Sequence, residues 1–221
     1  MHPPLWFWSR NGFLFNIEKM KSKPLLFIDF DGTLCHDRFW RSLPDDIYNK
    51  INLFVRDKKI VRSWMRGDYT SEEVNHIVAE DIGLPYEDVW NIFVNDAKNM
   101  NISQSSLETI SALRETYTVI LMTDNMDSFN RFTIPSLNLD RYFDYIWNSY
   151  TEKRGKNDEN GKAFIDLVGK FDSKIESSIL IDNSESGCKL FTQLGGKSYL
   201  VSNENNIDFW LNELISKQYM Q

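Results

Sequence analysis

Short, continuous apolar runs recur along the chain, and longer segments with apolar residues at helical spacing separate them. The runs at 25–28, 119–122 and 179–181 have the length and composition of strands that are buried on both faces of a sheet. Two further strands are predicted at 143–147 and 198–201. Because helical segments lie between these strands, the pattern predicts an α/β fold built on a doubly wound parallel sheet.

The segment between the first two strands has a different pattern. Residues from about 39 to 101 show little strand character and predict about four short helices. Residues 70–73 (Thr-Ser-Glu-Glu) form a capping box for a helix that ends at Gly83, and Pro85 begins the next helix. A second capping signal at 105–108 predicts the start of the helix that returns to the sheet. The sequence therefore inserts a helical block between two strands.

Composition narrows the class of protein. The 221 residues have a formal net charge of −7, with 42% hydrophobic and 26% charged residues. The hydrophobic and charged fractions are ordinary for a globular protein. The negative net charge argues against a general nucleic-acid or anionic-membrane binder. Cys35 and Cys188 lack metal-ligand spacing and fit free thiols in a reducing compartment, so we expect a cytoplasmic protein. Residues 1–23 are expected to be an N-terminal extension, whose apolar part is too short to span a membrane.

Two acids follow the first predicted strand directly, in the sequence Asp29-Phe30-Asp31-Gly32-Thr33. Ligands of open α/β sheets bind at the carboxyl ends of the strands, so this turn lies where chemistry is usually done. Neighbouring carboxylates repel each other unless a cation or a shared proton compensates their charge. The pair therefore makes a metal site the first functional hypothesis.

Polar residues also follow two other predicted strands. Residues 123–125 (Thr-Asp-Asn) end the second strand, and residues 182–183 (Asp-Asn) end the strand at 179–181. In a parallel sheet these ends share one edge, so carboxylates, a hydroxyl and an amide are expected to meet there. The polar loop after the third strand adds Lys156, a cation suited to an anionic ligand.

Four motifs follow one another along the chain, namely the turn at 29–33, the strand end at Thr123, the loop lysine Lys156 and the strand end at Asp182. Their residue types and their order resemble those of the haloacid dehalogenase (HAD)-like hydrolase superfamily. The resemblance covers about residues 24–202 and implies a Rossmann-like HAD core formed by residues 24–38 and 102–221. It also implies that residues 39–101 form a small inserted α-helical cap domain. In this superfamily such caps close over the site and largely select the substrate.

The resemblance assigns roles to the strand-end residues. It implies that Asp29 attacks phosphorus to form an aspartyl-phosphate and that Asp31 acts first as general acid and then as general base. It implies that Thr123 and Lys156 hold the phosphoryl oxygens, and we expect Asp124 to lie in the same phosphate-binding site. Covalent capture followed by hydrolysis divides one difficult displacement into two easier ones.

Mg²⁺ is the cofactor that the resemblance implies. The expected ligands are the carboxylates of Asp29 and Asp182 and the backbone carbonyl of Asp31. Oxygen donors of this kind suit Mg²⁺, and a divalent cation offsets the repulsion between a carboxylate and a phosphate. Many members of the superfamily have a second aspartate where this chain has Asn183. We expect Asn183 to orient a metal-bound water, with Glu185 as the alternative helper.

The phosphate-binding lysine has three candidates, because Lys153, Lys156 and Lys162 lie close together in the chain. We favour Lys156, since Gly155-Lys156-Asn157-Asp158 resembles the Gly-Lys-Pro-Asp pattern of the superfamily. The expected function is Mg²⁺-dependent hydrolysis of a small phosphorylated metabolite. The alternatives are a phosphomutase and a non-catalytic ligand-binding or regulatory protein with the same fold. Asp31 argues against a dehalogenase, because those relatives generally lack the second aspartate.

Overall fold

A computed structural model describes residues 22–55 and 58–218, so the predicted extension falls almost entirely outside the described residues. Its centre is a sheet of five parallel strands in the order β3-β2-β1-β4-β5. The predicted α/β fold with a doubly wound parallel sheet is therefore confirmed. The strands are β1 (Leu25–Ile28), β2 (Thr118–Thr123), β3 (Tyr145–Asn148), β4 (Ile179–Asp182) and β5 (Lys197–Leu200).

The two edge strands differ from their predicted bounds. The prediction placed a strand at 143–147, but Phe143 and Asp144 precede β3. Asp144 N donates to Val119 O, but Val119 N donates to the Asp144 carboxylate, which also accepts from Arg114, so only one backbone hydrogen bond joins the chains there. At the other edge, β5 begins at Lys197 and ends at Leu200, one residue earlier than predicted at each end.

Five helices lie between β1 and β2 among the described residues. The first four correspond to the predicted helical block, and we call them the helical insertion. They are α1 (Asp45–Val55), α2 (Lys58–Met65), α3 (Ser71–Ile82) and α4 (Tyr86–Lys98). No helix within the described ranges is long and apolar enough to cross a membrane. The remaining helices are α5 (Gln104–Leu113), α6 (Ile134–Leu137), α7 (Ser149–Glu152), α8 (Asp158–Lys170), α9 (Glu185–Gln193) and α10 (Ile207–Gln218), with a π-helix at Phe129–Thr133 and 3₁₀ turns at Leu139–Arg141 and Ile175–Ser177.

Local capping explains where two of these helices begin. In α3 the capping box is confirmed, because the Thr70 side chain accepts from Glu73 N while the Glu73 carboxylate accepts from Thr70 N. The predicted start of α5 at the 105–108 signal is wrong. Ser103 caps this helix by accepting a hydrogen bond from Ser106 N, so the helix begins earlier.

Alternate residues of β1 contribute to the cores on opposite faces of the sheet. Leu26 and Ile28 belong to one apolar cluster, which α5 and α10 cover. Leu25 and Phe27 belong to the other, in which Phe27 lies edge-to-face against Phe164 of α8 and Phe191 of α9. With both faces covered, the ends of the strands remain as the surface on which a site can form.

The helical insertion has an apolar cluster of its own, in which Trp64 and Phe93 are fully buried. Met126, which follows β2, also belongs to this cluster, so the insertion packs against the carboxyl edge of the sheet. The division of the chain into a core and a cap at residues 39–101 stays a prediction, which these contacts motivate.

Asp127 fastens the insertion to the residues after β2. It is 5% exposed, and it accepts hydrogen bonds from Trp64 Nε1 (3.0 Å), Ser71 Oγ (2.6 Å) and Ser71 N (3.2 Å). Arg131 Nη1 lies 2.8 Å from the same carboxylate and pairs through the same guanidinium with Glu72. Although burial favours the neutral acid, these donors hold the pKa of Asp127 below its usual value.

We expect Asp127→Ala to lower the free energy of unfolding by about 2–4 kcal/mol, because it leaves the buried Trp64 and Ser71 donors unpaired. Asp127→Asn keeps one acceptor oxygen and is the matched control, with a smaller loss. Urea unfolding followed by tryptophan fluorescence measures both. A loss below about 0.5 kcal/mol for Asp127→Ala would contradict this account of the contact.

Candidate active site

Three buried charged residues from different parts of the chain meet at the carboxyl edge of the sheet. Asp29 follows β1 and Asp182 ends β4, and these two strands are neighbours in the sheet. Lys156 Nζ lies 2.7 Å from Asp29 Oδ1 and 2.7 Å from Asp182 Oδ2. Asp29, Asp182 and Lys156 are 4%, 0% and 6% exposed, so a single ammonium joins two carboxylates away from water.

The charges in this cluster do not balance. Burial is the main cause that raises the pKa of Asp29 to about 7; Lys156 opposes this effect and the Asp182 carboxylate adds to it. For Lys156, burial disfavours the cation, but the attraction of Asp29 and Asp182 outweighs burial and raises its pKa. The site therefore carries more negative charge than its one lysine compensates, and a further cation or proton is favoured there.

Thr33 and Gly32 shape the turn that carries the first acid. Thr33 Oγ1 donates to Asp29 Oδ2 (3.2 Å) and accepts from Asn183 N (3.1 Å), so it links the ends of β1 and β4. Gly32 has a φ of +79°, and the Asn183 side-chain amide lies where a β-carbon would be. Only glycine meets both requirements without strain, which explains its place in the motif.

The second acid, Asp31, has a different environment from Asp29. Asn125 Nδ2 donates to Asp31 Oδ2 at 2.9 Å, and Asn125 N donates to Ser149 Oγ. Burial raises the pKa of Asp31 to about 6, against the opposing attraction of Arg38 and Lys156. A carboxyl group with a pKa near neutrality can both give and take a proton, as a general acid and base must.

The two predicted phosphate ligands after β2 have different surroundings. The Thr123 hydroxyl is buried and has no hydrogen-bond partner among the described residues, so it is available to a ligand. Asp124 Oδ1 accepts a hydrogen bond from Lys156 N at 2.8 Å. This contact gives Asp124 a task that the sequence did not indicate, which is to hold the backbone of the lysine loop.

The structure distinguishes between the three candidate lysines. Lys156 alone among them contacts the strand-end acids. Lys153 is exposed and lies over the Tyr150 ring, with its Nζ 4.2 Å from the ring centroid. Lys162 is exposed as well and pairs with Asp166, one helical turn away.

The carboxylates of Asp29 and Asp182 are the side chains best placed to hold a cation. Within the described ranges, no group of three or more His, Cys, Asp or Glu side chains is arranged to hold a metal ion. The predicted set needs fewer, because it combines two carboxylates with the backbone carbonyl of Asp31, and Mg²⁺ usually keeps several waters. Asn183 is exposed beside these acids, and its backbone N–H donates a hydrogen bond to Thr33 Oγ1.

Two contributors were missed by the assignment of roles from the sequence. The sequence indicates Thr33 only as part of the first motif and Asn125 only as part of a polar strand end, and it assigns neither residue a role. Their positions directly after strands were the available signal. Their partners, however, come from other elements of the chain, and the local sequence does not specify such contacts.

No protein-family model and no curated protein matches this sequence. Solved structures do match it. A predicted HAD-like family hydrolase from Porphyromonas gingivalis has a TM-score of 0.66 at 19% identity, over 90% of this chain and 99% of that one. A HAD family enzyme from Bacteroides thetaiotaomicron has a TM-score of 0.64 at 22% identity, over 82% of this chain and 95% of that one.

A dehalogenase has the same architecture. A 2-haloacid dehalogenase from Pseudomonas syringae has a TM-score of 0.60 at 13% identity, over 89% of this chain and 99% of that one. Because such low identities establish architecture rather than activity, the matches bear on the fold. The matches thus confirm the fold that the four motifs imply, and the chain has the fold of the HAD-like hydrolases.

Proposed function

We propose that this chain is a Mg²⁺-dependent phosphatase that hydrolyses a small phosphomonoester through an aspartyl-phosphate. The observation that carries the proposal is the buried contact of Lys156 with both Asp29 and Asp182. The two carboxylates carry more negative charge than the single ammonium neutralises, so the site favours a divalent cation together with its phosphate. The Bacteroides enzyme supports the same chemistry, since one of its structures is a complex with magnesium and inorganic phosphate.

In the first step an oxygen of Asp29 attacks phosphorus and the bond from phosphorus to the ester oxygen breaks. Asp31 donates its proton to that leaving oxygen, which departs as an alcohol. Lys156 and the Thr123 hydroxyl stabilise charge on the transferring phosphoryl group. Thr33 orients the nucleophile by its hydrogen bond to Asp29 Oδ2.

In the second step a water attacks the phosphorus of the aspartyl-phosphate. Asp31, now ionised, takes a proton from this water, and Asp29 leaves as a carboxylate while inorganic phosphate is released. The hydrogen bond from Asn125 fixes the orientation of Asp31 in both steps. The residues are thereby returned to their starting protonation states.

Asp29, Asp182 and the Asp31 carbonyl would hold Mg²⁺. A bound divalent cation supplies charge neutralisation between the carboxylate and the phosphate, which otherwise repel each other. The raised pKa of Asp29 is in keeping with this fit, because burial, and to a smaller extent the neighbouring Asp182 carboxylate, disfavours an unpaired negative charge there. The helical insertion would act as a cap that excludes bulk water during the first step.

Asp31 also favours a phosphomonoester over a haloacid. A leaving alkoxide needs a proton, whereas a leaving halide ion is stable without one. A general acid held by Asn125 would be superfluous in a dehalogenase. The geometry thus supports phosphoryl transfer over displacement of a halide.

We expect Asp31→Asn to lower kcat for p-nitrophenyl phosphate by about 10²-fold or more in the presence of Mg²⁺, because the amide cannot accept a proton from the water that attacks the aspartyl-phosphate. Phosphate release measures the effect, and an excess of EDTA should abolish the wild-type rate. Asp81→Asn is the matched control, since Asp81 is an exposed acid on α3 that lies outside the proposed chemistry.

The outcome separates the alternatives. Chloride release from 2-chloropropionate without phosphate release would make the chain a dehalogenase. Transfer of the phosphoryl group to an added sugar hydroxyl, in preference to water, would make it a phosphomutase. The absence of turnover on every phosphate ester, together with a Mg²⁺-induced rise in Tm, would favour a non-catalytic binder.

A further inference from the structure

A cavity of about 230 Å³ lies between the helical insertion and the edge of the sheet. Its wall includes eight apolar or aromatic side chains, which come from α1, α2, the segment before α1 and the segments after α4 and β2. An apolar cavity of about 150 Å³ can hold benzene, so this one accommodates a ring with a short substituent. Representative lining residues are Phe39, Tyr48, Ile51, Val61, Met100 and Met126.

Asp31 lines this cavity, whereas Asp29 does not. In the proposed reaction the general acid must reach the oxygen that leaves with the alcohol. The group attached to that oxygen must therefore lie on the Asp31 side of the phosphorus. The cavity occupies that side, so it is the space that the leaving group would fill.

Several polar groups in the wall bond to the protein itself. Trp40 Nε1 donates to Asn75 Oδ1, the Asp37 carboxylate accepts from Asn101 N, and Arg38 Nη1 donates to Asp37 O. A sugar with several hydroxyl groups would therefore regain only part of the hydrogen bonds that it makes with water. An apolar group, in contrast, would gain from leaving water.

A second cavity, of about 430 Å³, lies on the lysine side of the site and has a polar wall that includes Arg62, Arg66 and Asp158. Asp124 lines it, but the Asp124 carboxylate holds Lys156 N and is not placed as the general acid. The leaving group of an ester bound at Asp29 would lie away from this cavity if Asp31 protonates it. The first cavity predicts an apolar leaving group, whereas the second would predict a polar one.

We infer that the substrate is the phosphomonoester of a small hydrophobic alcohol or phenol, whose apolar group fills the cavity lined by Asp31, Tyr48 and Val61. This inference rests on the proposed phosphatase function and names its substrate class. Sugar phosphates and nucleotides are expected to be poorer substrates, because most of this wall is apolar.

The test compares three substrates on the full chain with Mg²⁺. Benzyl phosphate and glucose 6-phosphate both release a primary alcohol, so they differ mainly in the polarity of the leaving group. Acetyl phosphate has a small and reactive leaving group, and it reports on the nucleophile with little demand on either cavity. We expect kcat/KM for benzyl phosphate to exceed that for glucose 6-phosphate by about tenfold or more.

Adjacent positions on α2 provide matched variants, because Val61 lines the apolar cavity and Arg62 lines the polar one. Val61→Phe fills the apolar cavity and should lower the ratio of kcat/KM for benzyl phosphate to that for acetyl phosphate about tenfold. Arg62→Phe introduces the same side chain one residue away and should leave that ratio within about twofold. Val61→Ala enlarges the cavity and should raise the relative kcat/KM of the larger 1-naphthylmethyl phosphate.

The outcomes separate this inference from the proposed function. A glucose 6-phosphate rate equal to or above the benzyl phosphate rate would overturn the substrate class while leaving the phosphatase in place. Hydrolysis of acetyl phosphate with neither ester accepted would overturn it as well. The absence of Mg²⁺-dependent release from all three compounds would instead remove the proposed function.

Discussion

Asp29→Asn is expected to abolish turnover and, at the same time, to stabilise the metal-free protein. The amide cannot attack phosphorus as a carboxylate does, so kcat for a phosphate ester should fall by about 10³-fold or more. Phosphate release from p-nitrophenyl phosphate with Mg²⁺ measures this loss. A variant that retains more than about a tenth of the wild-type rate would remove Asp29 from the role of nucleophile.

The gain in stability follows from the raised pKa of Asp29, about 7. A group whose pKa is higher in the folded than in the unfolded state costs stability once the pH rises above its unfolded value. The asparagine lacks this charge, and Lys156 keeps Asp182 as its partner. We expect Asp29→Asn to be about 1–2 kcal/mol more stable than the wild type at pH 8 in EDTA, with the difference shrinking toward pH 4.

Mg²⁺ provides an independent readout of the same site. A ligand that binds only the folded state raises Tm with its concentration. The wild type should therefore gain Tm on addition of Mg²⁺, and Asp29→Asn should gain less because it lacks one carboxylate donor. An equal gain in both proteins would show that the cation binds elsewhere.

The second large effect is expected from Lys156→Met, which removes the only cation in contact with both Asp29 and Asp182 among the described residues. Two buried carboxylates then face each other without compensation, and the free energy of unfolding should fall by about 3–5 kcal/mol at pH 8. Loss of the phosphate ligand should also lower kcat/KM by about 10²-fold or more. Chemical denaturation and phosphate release measure the two effects separately.

The pH dependence of Lys156→Met has a defined sign. Without the ammonium, the pKa of Asp29 rises further above its unfolded value, so the stability of the variant is retained at low pH and lost as the pH increases. The deficit relative to the wild type should thus be larger at pH 8 than at pH 5. A deficit that is the same at both values would mean that lost packing, rather than charge, causes the change.

Lys162→Met is the matched control for Lys156→Met. Lys162 is exposed and pairs with Asp166 on the surface of α8. Exposed pairs of this kind contribute little, so we expect a change of stability below about 0.5 kcal/mol and no pH-dependent deficit.

The strand ends were predictable because their signal is local. A continuous apolar run followed by an acid identifies β1 and β4 from a few residues, and the parallel order of strands then requires their ends to share an edge. This reasoning predicts that Asp29 and Asp182 lie close together, and the choice of Lys156 among three lysines rests on its resemblance to the Gly-Lys-Pro-Asp pattern. The Thr70 capping box was predictable for the same reason, since its partners are three residues apart.

Features that depend on distant partners were not predictable. The start of α5 was missed for a different, local reason, because several neighbouring serines can cap this helix and Ser103 is the one that does so. The role of Asp127 arises from Trp64 and Ser71, which lie more than fifty residues earlier in the chain. A carboxylate in a loop is unremarkable in sequence until the fold brings buried donors to it. The Asn125–Asp31 contact belongs to the same class.

Arg66, directly after α2, forms an ion pair with Asp158 through Nη2 at 2.6 Å, and Asp158 Oδ2 accepts a hydrogen bond from Gly155 N at 2.8 Å. Gly155 precedes Lys156, so one carboxylate spans the helical insertion and the lysine loop. A shift of α2 away from the sheet would therefore also disturb the loop that carries the ammonium. A substitution at Arg66 is thus expected to change the anchoring of the insertion and the position of Lys156 together.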